Sequence, residues 1–288
     1  MSKPVDHSVD GFTRYRIDLA YDGTEYWGFA AQKKHRTVQG ELIKALTTVF
    51  GKSKTSFDMR VAGRTDAGVH ATAQVVHIDL NPKQLKRLGR TVGMMGSLND
   101  LLPTDIRIHS VTEAPEGFDA RYSASFRRYR YTIADKPALK NPLLARSTLW
   151  IKHELDLVAM QASALGLVGL HDYASFCRPK LGATTIREVR ELKVSRNPAA
   201  NNVIEVEIMA DAFCHNMVRS IVGALIAAGE GKASPDDVAE KLAKRTRVGS
   251  YKVQPAHGLT LIEIGYPADN ELEAQAERAR NLRTLDEN

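Results

Sequence analysis

The sequence predicts a mixed α/β protein built as two lobes of similar rhythm. Strand-like stretches that alternate apolar and polar residues are interleaved with segments whose apolar residues recur at helical spacing. An irregular connection, "DKPALKNPLLARS", interrupts this rhythm near the middle of the chain. At 288 residues, with 43% hydrophobic and 26% charged residues, the chain is soluble in character and long enough to bury one large core or two smaller ones.

The elements follow in order. "YRIDLAY" puts Tyr15, Ile17, Leu19 and Tyr21 on one face and ends at Asp22-Gly23, so it reads as a strand closed by a turn. Thr37 is placed to cap a helix whose stripe is Val38, Leu42, Ala45 and Val49, and Gly51 stops it. "VVHIDL" reads as a strand, followed by a helix running from Pro82 towards Gly96. "DIRIHSV" and "SFRRYRYTIA" are strands linked by the loop "TEAPEGFDARY". After the irregular connection come a helix from Asp156, the strands "IREVRELKVS" and "NVIEVEIMA", and the helix "HNMVRSIVGALIAA". Ser234-Pro235 opens one more helix with a cap and a proline at its first position, and "LTLIEIGY" closes the set as a strand. The expected organisation is a flexible tail (1–13), an N-terminal half (14–135), a C-terminal half (136–267) and a polar tail (268–288). That last segment reads as a solvated helix or a frayed end.

Charge points to a partner. The last 20 residues hold six acids and three arginines, so the net +6 of the whole chain becomes +9 for the rest. Such an excess favours a polyanion such as nucleic acid. The two cysteines, Cys177 and Cys214, lack CxxC spacing, which argues against a disulfide framework and for a reducing compartment. "MSKPVDHSVDGF" lacks the apolar run of a signal peptide, and "SIVGALIAAG" is too short to cross a bilayer. The expected location is the cytoplasm.

Three segments carry candidate chemistry. In "AGRTDAGVHA" a single carboxylate, Asp66, stands between Gly63 and Gly68, as suits a tight loop approached closely by substrate. A lone carboxylate can be a nucleophile, a general base, a Mg²⁺ ligand or a turn residue. In "MVRSIVGALIAA" the helix is apolar almost all round, so it is expected to be buried. Arg219 within it then needs a partner, because an unpaired buried charge costs several kcal/mol. Asp66 is one candidate; the alternative is an arginine in the first turn that reaches solvent. "FRRYRYTI" sets Arg127, Tyr129, Tyr131 and Ile133 on one face and Arg128 and Arg130 on the other. Rings beside cations suit base stacking and phosphate contact, although core tyrosines with a solvated arginine face fit equally well. The histidines show no HExxH spacing, the deaminase pattern is missing, and "GEG" closes a helix instead of opening one.

Taken in order, "YDGTEYWGF", "TVQGEL", "GRTDAGVHA", "LNDLLPTDI", "FDARYSA", "RRYRY", "HDYASF", "TIREV", "FCHNMVRSIVG" and "HGLTL" resemble the tRNA pseudouridine synthase A family. The resemblance extends from about Tyr15 to Pro267. It implies two ferredoxin-like halves joined along a continuous, mainly antiparallel sheet with a central RNA-binding cleft. It also implies a homodimer acting on tRNA. The implied reaction isomerises uridine to pseudouridine at positions 38, 39 and 40 of the anticodon stem-loop, without cofactor or metal. By the same resemblance Asp66 is the catalytic aspartate and Arg64 helps hold the flipped nucleotide. Tyr129 stacks on the target base, Arg219 pairs with the aspartate, and Leu259 packs beneath the uracil. The chain departs from the pattern at Phe29-Ala30, where the family often has Trp-Gln, and at Thr260, where it has tyrosine.

Overall fold

The alternation of "YRIDLAY" becomes strand β1 (Thr13–Tyr21), with Tyr15, Ile17, Leu19 and Tyr21 all buried. The computed structural model describes residues 11–87, 91–179, 182–249, 251–281 and 284–285. The first ten residues of the expected N-terminal tail lie outside that set. Packing divides the chain into two compact units. One runs through Ser125 and takes back Ile264–Arg280, and the other holds Phe126–Glu263.

In the first unit β1 is followed by α1 (Val38–Phe50), β2 (Arg60–Val61), β3 (His70–Leu80), α2 (Pro82–Leu85), α3 (Thr91–Leu101) and β4 (Ile106–Glu113). The Thr37 hydroxyl accepts from the Gly40 N–H and caps α1, while Gly51, at φ 83°, ends it. The single helix expected from Pro82 to Gly96 is instead the short α2, capped by Asn81, and the separate α3. Strand β1 lies antiparallel between β4 and β3, and β2 adds to β3, giving the order β4-β1-β3-β2.

The second unit contains β5 (Phe126–Ala134), β6 (Leu149–Trp150), α4 (Leu157–Leu165), β7 (Gly169–Asp172) and β8 (Ile186–Asn197). It continues through β9 (Val203–Ala210), α5 (Met217–Gly229), α6 (Pro235–Ala243) and most of β10 (Leu259–Gly265), whose last two residues count with the first unit. Its strand order is β10-β5-β9-β8-β7, with β6 parallel to the end of β5. Setting aside the added β6, β7 and α6, the same βαββαβ motif recurs, with its fourth strand beside its first. Each unit is therefore ferredoxin-like, and β5 packs as the first strand of the second motif.

Two expectations need correction. The C-terminal segment does form the expected helix, α7 (Leu272–Arg280), but it is not wholly solvated, since Leu272 and Ala276 are buried. Leu272 fills a cluster with Ala62, Val75, Phe118 and Ala120, so one leucine and one alanine anchor a helix whose other residues are mostly polar. Cys177 and Cys214 are joined in a disulfide, with Cα atoms 5.6 Å apart. They stand 37 positions apart in sequence, a distance over which spacing gives no signal.

A charged cluster fastens the "FDARY" loop to this first sheet. Arg14 donates to both carboxylate oxygens of Asp79 at 2.7 and 2.8 Å and to the Phe118 carbonyl at 2.8 Å. Arg60 reaches Asp119 at 3.2 Å, and the Ala120 N–H donates to His77 Nδ1 at 2.9 Å. Burial pushes the His77 imidazole down to about 4; the nearby Arg14 and Arg60 act the same way, against Asp119 and Asp79. His77 is thus neutral in the fold, whereas the unfolded chain takes up its proton below about 6.5. Stability is complete above that value and is lost as pH falls towards about 4. Urea unfolding should therefore show stability declining between pH 7 and 5, by up to about 1.4 kcal/mol per unit. His77→Asn should flatten this slope. An equally steep slope in the variant would assign it to other groups.

Candidate active site

Asp66 sits on the loop between β2 and β3, half-buried, with Arg64 and Ala67 exposed on either side. Gly68, at φ 79°, turns the chain so that the Asp66 carbonyl accepts from the Val69 N–H at 3.2 Å. The loop is clamped by the backbone of the segment after β1. The Phe29 N–H donates to the Thr65 carbonyl at 3.1 Å, and the Gly68 N–H donates to the Tyr26 carbonyl at 3.1 Å. A β-carbon on Gly28 would stand 2.8 Å from the Thr65 oxygen, and one on Gly23 would stand 2.0 Å from the Val69 oxygen. Glycine is required at both positions because backbone meets backbone.

Beneath the loop lies a polar strut that the sequence reading missed. Tyr21 at the end of β1 and Gln74 on β3 are buried. The Gln74 amide donates to the Gly63 carbonyl at 2.8 Å and to the Tyr21 oxygen at 3.1 Å. The Tyr21 hydroxyl is then left to donate to Thr65 Oγ1, 2.8 Å away. Burial pushes the phenol up to about 12, so it keeps its proton and its role as donor. The available signal was Gln74 itself, an amide directly before the apolar pair Val75-Val76.

The remaining predicted residues belong to the second unit. Tyr129 on β5 is buried and meets Phe213 edge-on, with ring centroids 5.1 Å apart. Arg127, Tyr129, Tyr131 and Ile133 share the buried face as expected, and Arg127 donates to the Asp211 carbonyl at 2.8 Å. The opposite face corrects the idea of free phosphate ligands. Arg128 pairs with Glu191 at 2.5 Å and Glu263 at 2.9 Å, and Arg130 pairs with Glu207 at 2.6 Å. Those cations are already matched across the sheet.

Helix α5 is buried along nearly its whole length, and Arg219 in its first turn is half-buried. Its guanidinium donates through Nε to the Gln254 carbonyl at 2.6 Å, so it does not simply point into solvent. Gly223 on the same helix lets the chain cross closely, since a β-carbon there would fall 2.0 Å from the Lys252 carbonyl. That crossing segment continues to Pro255, whose carbonyl accepts from the Tyr131 hydroxyl at 2.8 Å. It then reaches Gly258, where a β-carbon would strike the Tyr131 ring at 2.5 Å. Leu259 follows, buried at the start of β10. The structure therefore gathers Tyr131, Arg219 and the approach to Leu259 around one crossing, on the strand that also carries Tyr129. Among the described residues, no group of three or more His, Cys, Asp or Glu side chains is placed to hold a metal ion.

The family model described as tRNA pseudouridine synthase matches residues 19–123 and 164–267. This chain belongs to that family. It is similar to the tRNA pseudouridine synthase A of Leifsonia xyli, at 47% identity over 96% of this chain and 100% of the relative. That of Streptomyces avermitilis is 48% identical over 97% of both chains, and that of Mycobacterium leprae is 43% identical over 99% of both.

The strut of this synthase-family chain is open to test. Tyr21→Phe removes a buried hydroxyl that serves both Thr65 and Gln74, which should cost about 1–3 kcal/mol in urea unfolding. Adding Thr65→Val should cost little more, because both groups belong to one network. Full additivity of the two losses would show that they do not act together.

Proposed function

We propose that this chain isomerises uridine to pseudouridine in tRNA, at positions 38, 39 and 40 of the anticodon stem-loop. The observation that carries this reading is Asp66, one carboxylate on a loop clamped by backbone contacts and resting on a buried strut. The reaction breaks the N1–C1′ bond, turns the base and joins C5 to C1′, and the C5 proton leaves. Apart from that exchanged proton the product keeps the atoms of the substrate, so the step calls for neither an activated water nor a redox cofactor.

Asp66 serves as the catalytic carboxylate, either by transient attack at C1′ or C6 or by assisting formation of a glycal. A stacked base is out of its reach, so the nucleotide must be extruded, at a cost of a few kcal/mol. Stacking on Tyr129, worth ~1–3 kcal/mol, offsets much of that cost. Arg64 holds the flipped nucleotide, Leu259 packs beneath the uracil, and Arg219 is the counter-ion that aims Asp66. Tyr129 is also the candidate base for the C5 proton. The family names of the relatives support tRNA as substrate, and the +9 of the chain before its acidic tail suits such a partner. A cytoplasmic homodimer completes the proposal. The rival is a tRNA-binding protein of the same fold without turnover.

Release of tritium from C5-labelled uridine in tRNA separates the two. Asp66→Asn keeps the side-chain size but removes the nucleophile, so turnover should vanish while tRNA affinity stays within a few fold, since phosphate contacts dominate it. Appreciable tritium release by the purified Asn variant would refute the role given to Asp66. Arg219→Met should lose at least tenfold in single-turnover rate, with a much smaller change in tRNA affinity. An unaltered rate would show that Arg219 does not aim the carboxylate.

A further inference from the structure

The loop from Thr24 to Arg36 presents an aromatic surface that the chemistry above leaves unused. Trp27 is 58% exposed and stacks on His35, with ring centroids 4.1 Å apart and planes 21° from parallel. Ala31, Gln32, Lys33, Lys34 and His35 are all exposed beside it. A large ring left in water is usually a loose one, but this one is scaffolded. The Trp27 N–H donates to the Arg36 carbonyl at 2.9 Å, and its own carbonyl accepts from the Gln32 amide at 2.8 Å. On its other flank Tyr26 is buried and donates to Asp105 at 2.5 Å. Arg36 closes the group, pairing with Asp105 at 2.7 and 3.0 Å and lying 4.3 Å from the Tyr26 ring centroid. Both ends of the loop are thus fixed, while the indole and two lysines face outward.

The position matters as much as the exposure. Trp27 precedes Gly28 and Phe29, the residues whose backbone abuts the Asp66 loop. A ligand held on the indole is therefore registered to the same backbone that positions the carboxylate. An exposed indole backed by an imidazole and flanked by Lys33 and Lys34 matches an unpaired nucleobase with its phosphates. The ring supplies the stacking face, and the lysines supply charge for the backbone.

We propose that Trp27, braced by His35, is a stacking platform for an unpaired base of the tRNA that Asp66 modifies. This rests on the pseudouridine synthase reading. Fixing the ring in advance lowers the entropy lost on binding.

The experiment uses the full chain and an unmodified tRNA transcript. The sequence has two tryptophans, so Trp150→Phe leaves Trp27 as the only indole. Its emission should be quenched saturably by tRNA. In the parent chain, Trp27→Ala should weaken tRNA binding about tenfold, within the range of one base–aromatic stack, and Trp27→Phe should restore most of it. Unchanged emission at saturating tRNA would overturn the platform, as would an Ala variant that binds like the parent. A change in solution mass of Trp27→Ala without RNA would also overturn it, by making this face a contact between protein chains. Pseudouridine formation by the parent chain is measured in the same preparations. If it forms while Trp27 stays silent, only the platform fails. If the parent neither binds nor converts tRNA, both readings fall.

Discussion

Everything proposed for Asp66 depends on two backbones touching. The segment after β1 and the loop before β3 approach until carbonyl oxygens occupy the space where side chains would stand at Gly23 and Gly28. Contact of that kind is stiff, because it involves no rotamers and is fixed by hydrogen bonds between main-chain groups. The Tyr21–Thr65–Gln74 strut then supports the loop from below. A carboxylate at the tip of a surface loop is thereby held nearly as firmly as one on a strand. Catalysis by positioned groups needs that, since small misplacements are costly.

The two faces of β5 divide the work of a single strand. Alternation sends Arg127, Tyr129 and Tyr131 inward and Arg128 and Arg130 outward. The outward pair meets Glu191, Glu205, Glu207 and Glu263, giving a ladder of opposite charges across neighbouring strands. Positive charge for a polyanion must therefore come largely from other surfaces, such as the one proposed for the exposed lysines of the Trp27 loop. Counting basic residues along a motif overstates what it offers to RNA, because the sheet has already used part of that charge.

What could be read in advance follows from the range of each signal. The caps at Thr37 and Ser234, the inward face of β1 and the buried character of α5 are set by residues within a few positions of one another. The Asp66 loop was legible because its glycines and carboxylate lie together in "GRTDAGVHA". The strut was not, since Tyr21 meets Thr65 across 44 positions and Gln74 across 53. The partners of Arg128, the cysteine pairing and the docking of Leu272 are likewise long-range meetings that no local period announces. The end of α2 at Leu85 was hidden for a different reason: apolar spacing ran on past that point.

The docking of Leu272 also has a bearing on how the chain is made. Ala62, Val75, Phe118 and Ala120 are synthesised early, but the residue that closes their cluster comes only after the whole of Phe126–Glu263. During synthesis the first unit therefore waits with an apolar notch uncovered, while an entire second motif emerges and folds. Such a surface is exposed to wrong partners for as long as translation lasts. A chain cut short before Leu272 would leave that cluster open beside Ala62, four residues before Asp66.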